Sequence, residues 1–548
     1  MRSPVAVKNS RRILCIFPAY TPAFGTFAHA FPLLYNVRAF MPPQGLLVIA
    51  AYLPAAWEVR FRDENMARCS AADFNWADVV LISGMHVQAP QIREIAARAH
   101  AAGKAVVLGG PSVSAAPEMY SDIDYLHIGE IGDATDALIA ALDENPARPP
   151  VQQRYETVER LPLEQFPIPA YETVALGRYL IGSIQFSSGC PYRCEFCDIP
   201  GLYGRQPRLK TAEQLLRELD AMAAQPARPS TVYFVDDNFI GNKKAAREIL
   251  PHLVAWQKRN HYPFNFACEA TLNIAKQTDV LELMREAAFV EVFVGIETPD
   301  IDALKGMRKE QNATLPILES IETLNSYGLE VTSGIILGLD TDNGRSADGL
   351  IEFIERSQIP ILTINLLQAL PKTPLWDRLA RAGRLTDNPQ LESNVRFLRP
   401  YDQVLADWRR CIAHAYAPER LFARFRHQID ATYANRLKVP AKGRLTGANL
   451  RQALVLSFRI FLRVGLRSSY RREFWCAARY ALKRGQIEAM LSMGFVAHHL
   501  ITFTREALRG EQNASFYSTR EHAEMPHEHS RETPALTLRP AVRRISQG

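Results

Sequence analysis

The chain has 548 residues, which at roughly 100–200 residues per domain means about three or four units, each able to bury a core. Apolar residues make up 47% and charged residues 22%, which excludes a wholly disordered, collagen-like or disulfide-scaffold chain. Lys plus Arg exceed Asp plus Glu by only 64 to 58, so a net charge of +6 does not point to nucleic acid.

Residues 1–143 alternate short apolar runs with helical patterns: ILCIF (13–17), EVRF (58–61), DVVLISG (78–84), AVVLGG (105–110) and YLHIGE (125–130). Strands alternating with helices predict an α/β unit, a doubly wound, Rossmann-like parallel sheet. Such a sheet binds ligands beyond the carboxyl ends of its strands, which here carry Ser83-Gly84 with His86 following, Gly109-Gly110-Pro111 and Gly129-Glu130. Glycines there suit a large planar ligand, or form plain strand-to-loop turns. No G-x-G-x-x-G follows the first strand, so a dinucleotide site has no support. Residues 144–178 read as a linker, because 144–170 hold six prolines and no sustained apolar period.

From 179 to 395 the alternation resumes with SIQFSSG (183–189), TVYFVDD (231–237), FNFACEA (264–270), VEVFVGIE (290–297), EVTSGIILGLD (330–340) and ILTINLLQAL (361–370). These runs predict a full or partial β/α barrel whose strand ends face one site. Residues 396–510 read as a helical region, and 511–548 as a polar, disordered tail. Between 441 and 510 stand thirteen Lys or Arg against three acids. Arg459, Arg463, Arg467 and Arg471 fall at i, i+4 steps and predict one basic ridge of a helix, with Leu454, Phe458, Phe461, Leu462 and Leu466 as apolar surface. That pattern fits an interfacial helix on anionic lipid, or a packed helix with a solvated arginine face. No motif supports nucleic-acid binding. Ala489 to Phe503 is too short to span a bilayer, which takes about 20 residues.

Of the eight cysteines only three cluster, a pattern of a reducing compartment rather than a secreted framework. No apolar stretch of export-signal length precedes Pro18, so a cytoplasmic location is expected. The three are Cys190-Pro-Tyr-Arg-Cys194-Glu-Phe-Cys197, a C-x3-C-x2-C loop after the first strand of the second α/β unit. Three thiolates can hold three irons of a [4Fe–4S] cube and leave the fourth without a protein ligand. Zinc would need a fourth ligand, and none lies nearby in the sequence.

With Phe196 before the third cysteine, the segment resembles the radical S-adenosylmethionine superfamily. The resemblance implies that the open iron is chelated by the amino and carboxylate groups of S-adenosylmethionine, whose reductive cleavage yields a 5′-deoxyadenosyl radical. It also implies cofactor contacts at other strand ends. Asp236, Asp237 and Asn238 would receive the cofactor's ammonium; the alternative is a strand-end turn with a helix N-cap at Asp237 or Asn238. Glu269 and Glu297, the latter in Gly295-Ile-Glu297, would bond ribose hydroxyls, or make surface salt bridges. Gly334-Ile-Ile-Leu-Gly338 resembles the family's adenine-contacting strand, with Asp340 where the family often has Glu.

Pro42-Pro43-Gln44-Gly45-Leu46 opens an early helix ahead of this barrel, and the first domain resembles the cobalamin-binding module of class B radical S-adenosylmethionine methyltransferases. Ser83, Gly84, Gly109, Gly110, Pro111, Gly129 and Glu130 would then face cobalamin. The D-x-H-x-x-G of methionine-synthase-type modules is missing: Asp124-Tyr-Leu-His127-Ile-Gly129 has the wrong spacing, so His127 reads as a strand residue. His86 is the candidate to approach the corrin's lower face. FPAYTPAFGTF (17–27) and VRAFMPPQGLLVIAAYLP (37–54) resemble the hopanoid-methylating branch of the family. That implies methylation of an unactivated ring carbon, C-2 of a hopene such as diploptene, by way of methylcobalamin. The implied partners are a hydrophobic polycyclic triterpenoid, a low-potential electron donor of the flavodoxin or ferredoxin type, and the inner face of the cytoplasmic membrane, contacted peripherally by the basic helices. Two other readings stand: the same machinery acting on a tetrapyrrole, another isoprenoid or an antibiotic precursor, and a non-catalytic corrinoid- or lipid-binding module.

Overall fold

Uninterrupted apolar runs such as Ile13–Phe17 become central parallel strands because helices cover both of their faces. The computed structural model describes residues 3, 5–439, 447–518 and 537–538. Strands β1 (Arg12–Phe17), β2 (Glu58–Asp63), β3 (Val79–Ser83), β4 (Ala105–Gly109), β5 (Tyr125–Ile128) and β6 (Gln153–Glu156) form a parallel sheet in the order 2-1-3-4-5-6. The order reverses between β1 and β3, and a crevice opens there at the carboxyl ends.

β6 corrects the linker reading of 144–178. Gln153–Glu156 pairs with Tyr125–Ile128 as an edge strand. Its QRYE sequence is largely exposed, so it leaves no apolar run and is held by backbone pairing. The rest of the segment also packs: Tyr171 and Tyr179 are buried, and Tyr179 Oη donates to Asp63 Oδ2 at 3.0 Å, joining the first domain to the second.

In the second unit, β7 (Gly182–Ile184) is followed by β8 (Ser187–Ser188), which pairs antiparallel with β9 (Arg208–Leu209). β10 (Thr231–Phe234), β11 (Asn265–Ala270), β12 (Phe289–Glu297), β13 (Glu330–Leu337) and β14 (Ile361–Leu366) continue from β7 as a six-stranded parallel sheet in chain order, a partial β/α barrel. Phe234, Phe239, Phe266 and Phe289 pack their rings together beside β10, β11 and β12, with centroids 5.2–5.4 Å apart.

The C-terminal region is helical, as expected, but the single arginine ridge is not formed. The helix Gly447–Ile460 passes directly into a π-turn at Phe461–Leu466, and a new helix runs Arg471–Lys483, so Arg459 and Arg463 share one stretch of backbone while Arg471 stands on another. Close packing accounts for the break: Trp475 Nε1 donates to Gly465 O at 2.9 Å, and a Cβ at Gly465 would lie 2.9 Å from the indole. Among the described residues no helix is long and apolar enough to cross a membrane.

The tail reading is corrected twice. Residues 511–518 strap onto the barrel: Leu366 N donates to Ala514 O and Ala514 N to Glu392 Oε2, both at 3.0 Å, and Phe516 N reaches Asn365 Oδ1. β15 (Thr537–Leu538) adds antiparallel to β2. Polar side chains that satisfy backbone groups leave no apolar signature. The other residues of the expected tail lie outside the described residues.

Candidate active site

The cysteine loop leaves β8 through Gly189, whose φ of +98° suits glycine. Two carboxylates hold that exit. Asp236 accepts from the N–H groups of Phe186 and Ser187, and Asp237 Oδ2 accepts from Gly189 N at 2.6 Å. The loop is pinned further on, where Glu195 N donates to Met307 O at 2.8 Å and Leu375 N to Glu195 O at 3.0 Å. Burial pushes the Cys190 and Cys197 thiols up, while the Tyr192 N–H and the Asn238 amide pull Cys190 back. Gln311 Nε2 donates to Cys194 Sγ at 3.3 Å. Among the described residues no three His, Cys, Asp or Glu side chains are gathered as a single-ion site. A cube does not require that, because each thiolate binds its own iron.

The other strand ends converge on this loop. Asn238 exchanges 3.4 Å contacts with Thr271, and the cap of the following helix is Asn242, so neither Asp237 nor Asn238 is an N-cap. Burial pushes Asp236 up to about 6 and Asp237 and Glu269 up to about 7, against the hydrogen bonds each accepts. Glu297 takes a left-handed φ of +66° and turns inward, where its Oε1 lies 2.5 Å from Lys309 Nζ. That ammonium also lies 5.4 Å from the Phe196 ring centroid.

The glycines of this half have a different use from the one expected. A Cβ on Gly295 would meet Glu297 Oε1 at 2.4 Å and Lys309 Nζ at 2.8 Å. On Gly338, with φ +90°, it would meet the Phe397 ring at 2.5 Å. Both make room for neighbouring side chains rather than for open approach. Gly334 is looser, with its nearest neighbour Phe293 at 3.4 Å. Asp340 is taken up by arginine, with Arg378 Nη1 and Arg384 Nη2 each at 2.6 Å.

Between the two α/β units lies a cavity of about 390 Å³. Ser83, Gly84, Gly109, Gly110, Pro111, Gly129 and Glu130 all line it; His86 does not, and stands in a short turn with a buried Nδ1 that has no partner among the described residues. Gly110 has a φ of +91°, and a Cβ there would sit 2.6 Å from Ser83 Oγ. Glu130 is already paired across the domains with Arg208 at 2.6 Å and Arg160 at 3.0 Å. His127 lines the cavity but is bonded to Thr135 Oγ1 at 2.8 Å, the strand role expected of it. Met41, Pro42 and Gln44 of the first unit and Leu202, Tyr203 and Val235 of the second line it as well.

The Radical SAM superfamily profile matches residues 184–354, the B12 binding domain profile matches 32–139, and a domain of unknown function (DUF4070) matches 373–513. The hopanoid C-2 methylase of Rhodopseudomonas palustris (strain TIE-1) is 58% identical over 94% of this chain and 97% of its own length. The chain belongs to the cobalamin-binding radical S-adenosylmethionine methyltransferases. An uncharacterized methyltransferase of Synechocystis is 34% identical over 85% of this chain and 86% of its own. Two solved structures share the fold. Cobalamin-dependent OxsB has a TM-score of 0.59 at 13% identity, covering 92% of this chain and 84% of that one. TsrM of Kitasatospora setae has 0.55 at 15%, covering 91% of this chain and all of that one.

A methyltransferase of this family works with a [4Fe–4S] cluster, S-adenosylmethionine and cobalamin, and needs a reductant. The donor set fits. Three thiols on one loop stand among N–H donors, and the buried carboxyls of Asp236, Asp237 and Glu269 repel one another, a repulsion that a cationic ligand would relieve. The cavity fits a corrin by its bare glycine strand ends and by Gln44, whose buried Nε2 has no partner among the described residues. Sequence reasoning missed Glu195, Lys309, Gln311, Arg378 and Tyr517. None stands in a strand-end pattern. Tyr517 is brought in by the strap, where burial and the charges of Asp198, Cys197 and Glu269 push its hydroxyl up.

Proposed function

We propose that this methyltransferase acts on a polycyclic triterpenoid, placing a methyl group on a ring carbon, C-2 of a hopene such as diploptene. The observation that carries the reading is the 58% identity, across nearly the whole length of both chains, to a hopanoid C-2 methylase. A ring C–H bond of such a hydrocarbon has no acidity for a general base to use, so the hard chemistry belongs to cofactors. When bound, the cluster with S-adenosylmethionine supplies a hydrogen-abstracting radical and methylcobalamin supplies the methyl group.

The chain's own residues bind and orient. Cys190, Cys194 and Cys197 hold the cluster, and Asp236 and Asp237 hold the backbone from which their loop departs. Glu269, Glu297 and Asn238 offer polar groups to S-adenosylmethionine, and Gly334 leaves room beside its strand. Ser83, Gly84, Gly109, Gly110, Pro111 and Gly129 form the cradle of the corrin, with Gln44 as an added donor. Tyr20 and Phe516 pack their rings 6.3 Å apart and Tyr517 stands near Cys197, Asp198 and Glu269, where the three side chains would limit the entry of water. An electron donor of the flavodoxin or ferredoxin type and a peripheral position on the inner face of the cytoplasmic membrane complete the reading.

The test is anaerobic reconstitution with iron, sulfide and cobalamin, then turnover of S-adenosylmethionine with a hopene under a low-potential reductant. 5′-Deoxyadenosine together with a methylated hopanoid is expected. 5′-Deoxyadenosine with an unmethylated hopene would overturn the substrate, and neither product from cluster-loaded protein would overturn the assignment.

A further inference from the structure

Exposed apolar side chains are concentrated in one part of the molecule. Seven of the thirteen large ones among the described residues fall between 450 and 487. Leu450, Leu454, Phe458 and Phe461, spaced 4, 4 and 3 residues apart, share one face of the Gly447–Ile460 helix and its first continuation, at 55, 63, 63 and 44% exposure. The opposite face, with Leu456 and Ile460, is buried, and Ile460 packs against Gly494. A helix that turns its apolar stripe outward has exchanged the usual arrangement for one suited to an apolar surface.

That stripe runs into a basic groove. The Phe461 ring meets Trp475 edge to face at 6.1 Å, and Trp475 lines a groove with Arg471, Arg472, Arg479 and Lys483 on the Arg471–Lys483 helix. Among the described residues Arg472, Arg479 and Lys483 have no carboxylate partner. Apolar stripe, amphipathic indole and free cations lie side by side in the order in which a bilayer presents acyl chains, interface and phosphates.

We propose that this face docks the enzyme on an anionic bilayer, with the Leu450–Phe461 stripe in the acyl boundary and the Arg472–Lys483 groove on the headgroup phosphates. A nucleic acid would leave the apolar stripe unused, and a second copy in a two-fold contact would set the arginine grooves against each other. The face connects to the reaction site. The loop between Tyr20 and Met41 rests on these helices, through Arg459 Nη1 on Leu34 O at 2.7 Å and Arg451 over the Tyr35 ring, and both of its ends line the interdomain cavity. A lipid-borne substrate would meet the enzyme next to the wall it must pass.

The test sediments the full chain with vesicles of phosphatidylcholine alone and of phosphatidylcholine mixed with phosphatidylglycerol, with no substrate present, so its outcome is separate from that of the substrate reading. Salt-sensitive binding to the mixed vesicles is expected. Arg472→Glu with Arg479→Glu should weaken it about 30-fold or more, since each basic side chain near an anionic surface is worth roughly fivefold. Leu454→Ser with Phe458→Ser should abolish it, while both variants keep the parent's melting temperature and its cleavage of S-adenosylmethionine in solution. Equal sedimentation with and without anionic lipid, or binding unchanged by both pairs, would overturn the proposal. So would a dimer in light scattering that Phe458→Ser dissolves, which would make a second copy the occupant.

Discussion

Arg378 grips Glu195 with both arms of its guanidinium, Nε to Oε1 at 2.6 Å and Nη2 to Oε2 at 3.1 Å, and the same group reaches Asp340 through Nη1. One side chain thereby ties the cysteine loop to the carboxyl end of β13 by the bidentate geometry that lysine cannot reproduce. Groups that orient metal ligands are worth about 10–100-fold in affinity or activity. Arg378→Lys is expected to lower both iron per chain and 5′-deoxyadenosine formation within that range, while Arg381→Lys, on the same helix without this grip, leaves both at the parent level.

Replacing any one of Cys190, Cys194 or Cys197 by Ala is expected to abolish S-adenosylmethionine cleavage, because a cube held by two thiolates cannot keep its position. The measurement is 5′-deoxyadenosine formed by the reconstituted variants. Cys411→Ala, at a buried cysteine outside the loop whose Sγ faces Ala347 O, retains cleavage.

Lys309 and Glu297 form a buried pair, their side chains 7 and 9% exposed. Lys309→Met leaves the carboxylate without its cation, at a cost of about 3–5 kcal/mol in chemical denaturation. Adding Glu297→Gln to that variant removes the stranded charge and restores most of the lost stability. A double variant as unstable as the single one would show that the pair itself is not the source.

Acid should loosen the C-terminal helices before the barrel. His499 Nε2 lies 3.1 Å from the carbonyls of Ala23 and Phe24, and its Nδ1 accepts from His29 N at 3.4 Å, an arrangement that requires the neutral ring. Burial, with His29 nearby, holds it down to about 3, and burial holds neighbouring His498 down to about 4. A folded-state value below the unfolded one contributes stability that is whole above about pH 6.5 and is lost as the pH falls through these values, about 1.4 kcal/mol for every tenfold difference in proton affinity between the folded and unfolded chain. The urea midpoint of the parent should fall steeply below pH 6.5. His499→Gln, which can still donate to a carbonyl, should flatten that fall.

A chain ending after Gly510 loses the strap whose Ala514 and Phe516 bond the end of β14 and Glu392. With water admitted at the barrel mouth, the yield of methylated product per 5′-deoxyadenosine is expected to drop several-fold, while cleavage itself persists. An unchanged ratio would place the strap outside the reaction.

The sequence by itself determined the order of the two α/β units, the six barrel strands and the cysteine loop. Parallel strands buried on both faces must be near-continuous apolar runs, and three cysteines at short spacing are a local signal that needs no fold to be read. The strand-end glycines of the first domain were legible for the same reason, and all seven of the candidates there other than His86 line one cavity. Only the tertiary structure decided what occupies the space beside Gly295 and Gly338, because a glycine in a sequence does not say whether it admits a ligand or a neighbour such as Lys309 or Phe397. It alone placed Arg378, Lys309, Gln311 and Tyr517 around the loop, since these contacts join residues dozens to hundreds of positions apart and depend on packing that has no period along the chain. It also separated Arg471, which joins a groove with Arg472, Arg479 and Lys483, from Arg459 and Arg463, which face the loop at 31–38: the π-turn at Phe461–Leu466 goes with the fit of Gly465 against Trp475, a contact in space that i, i+4 spacing does not contain.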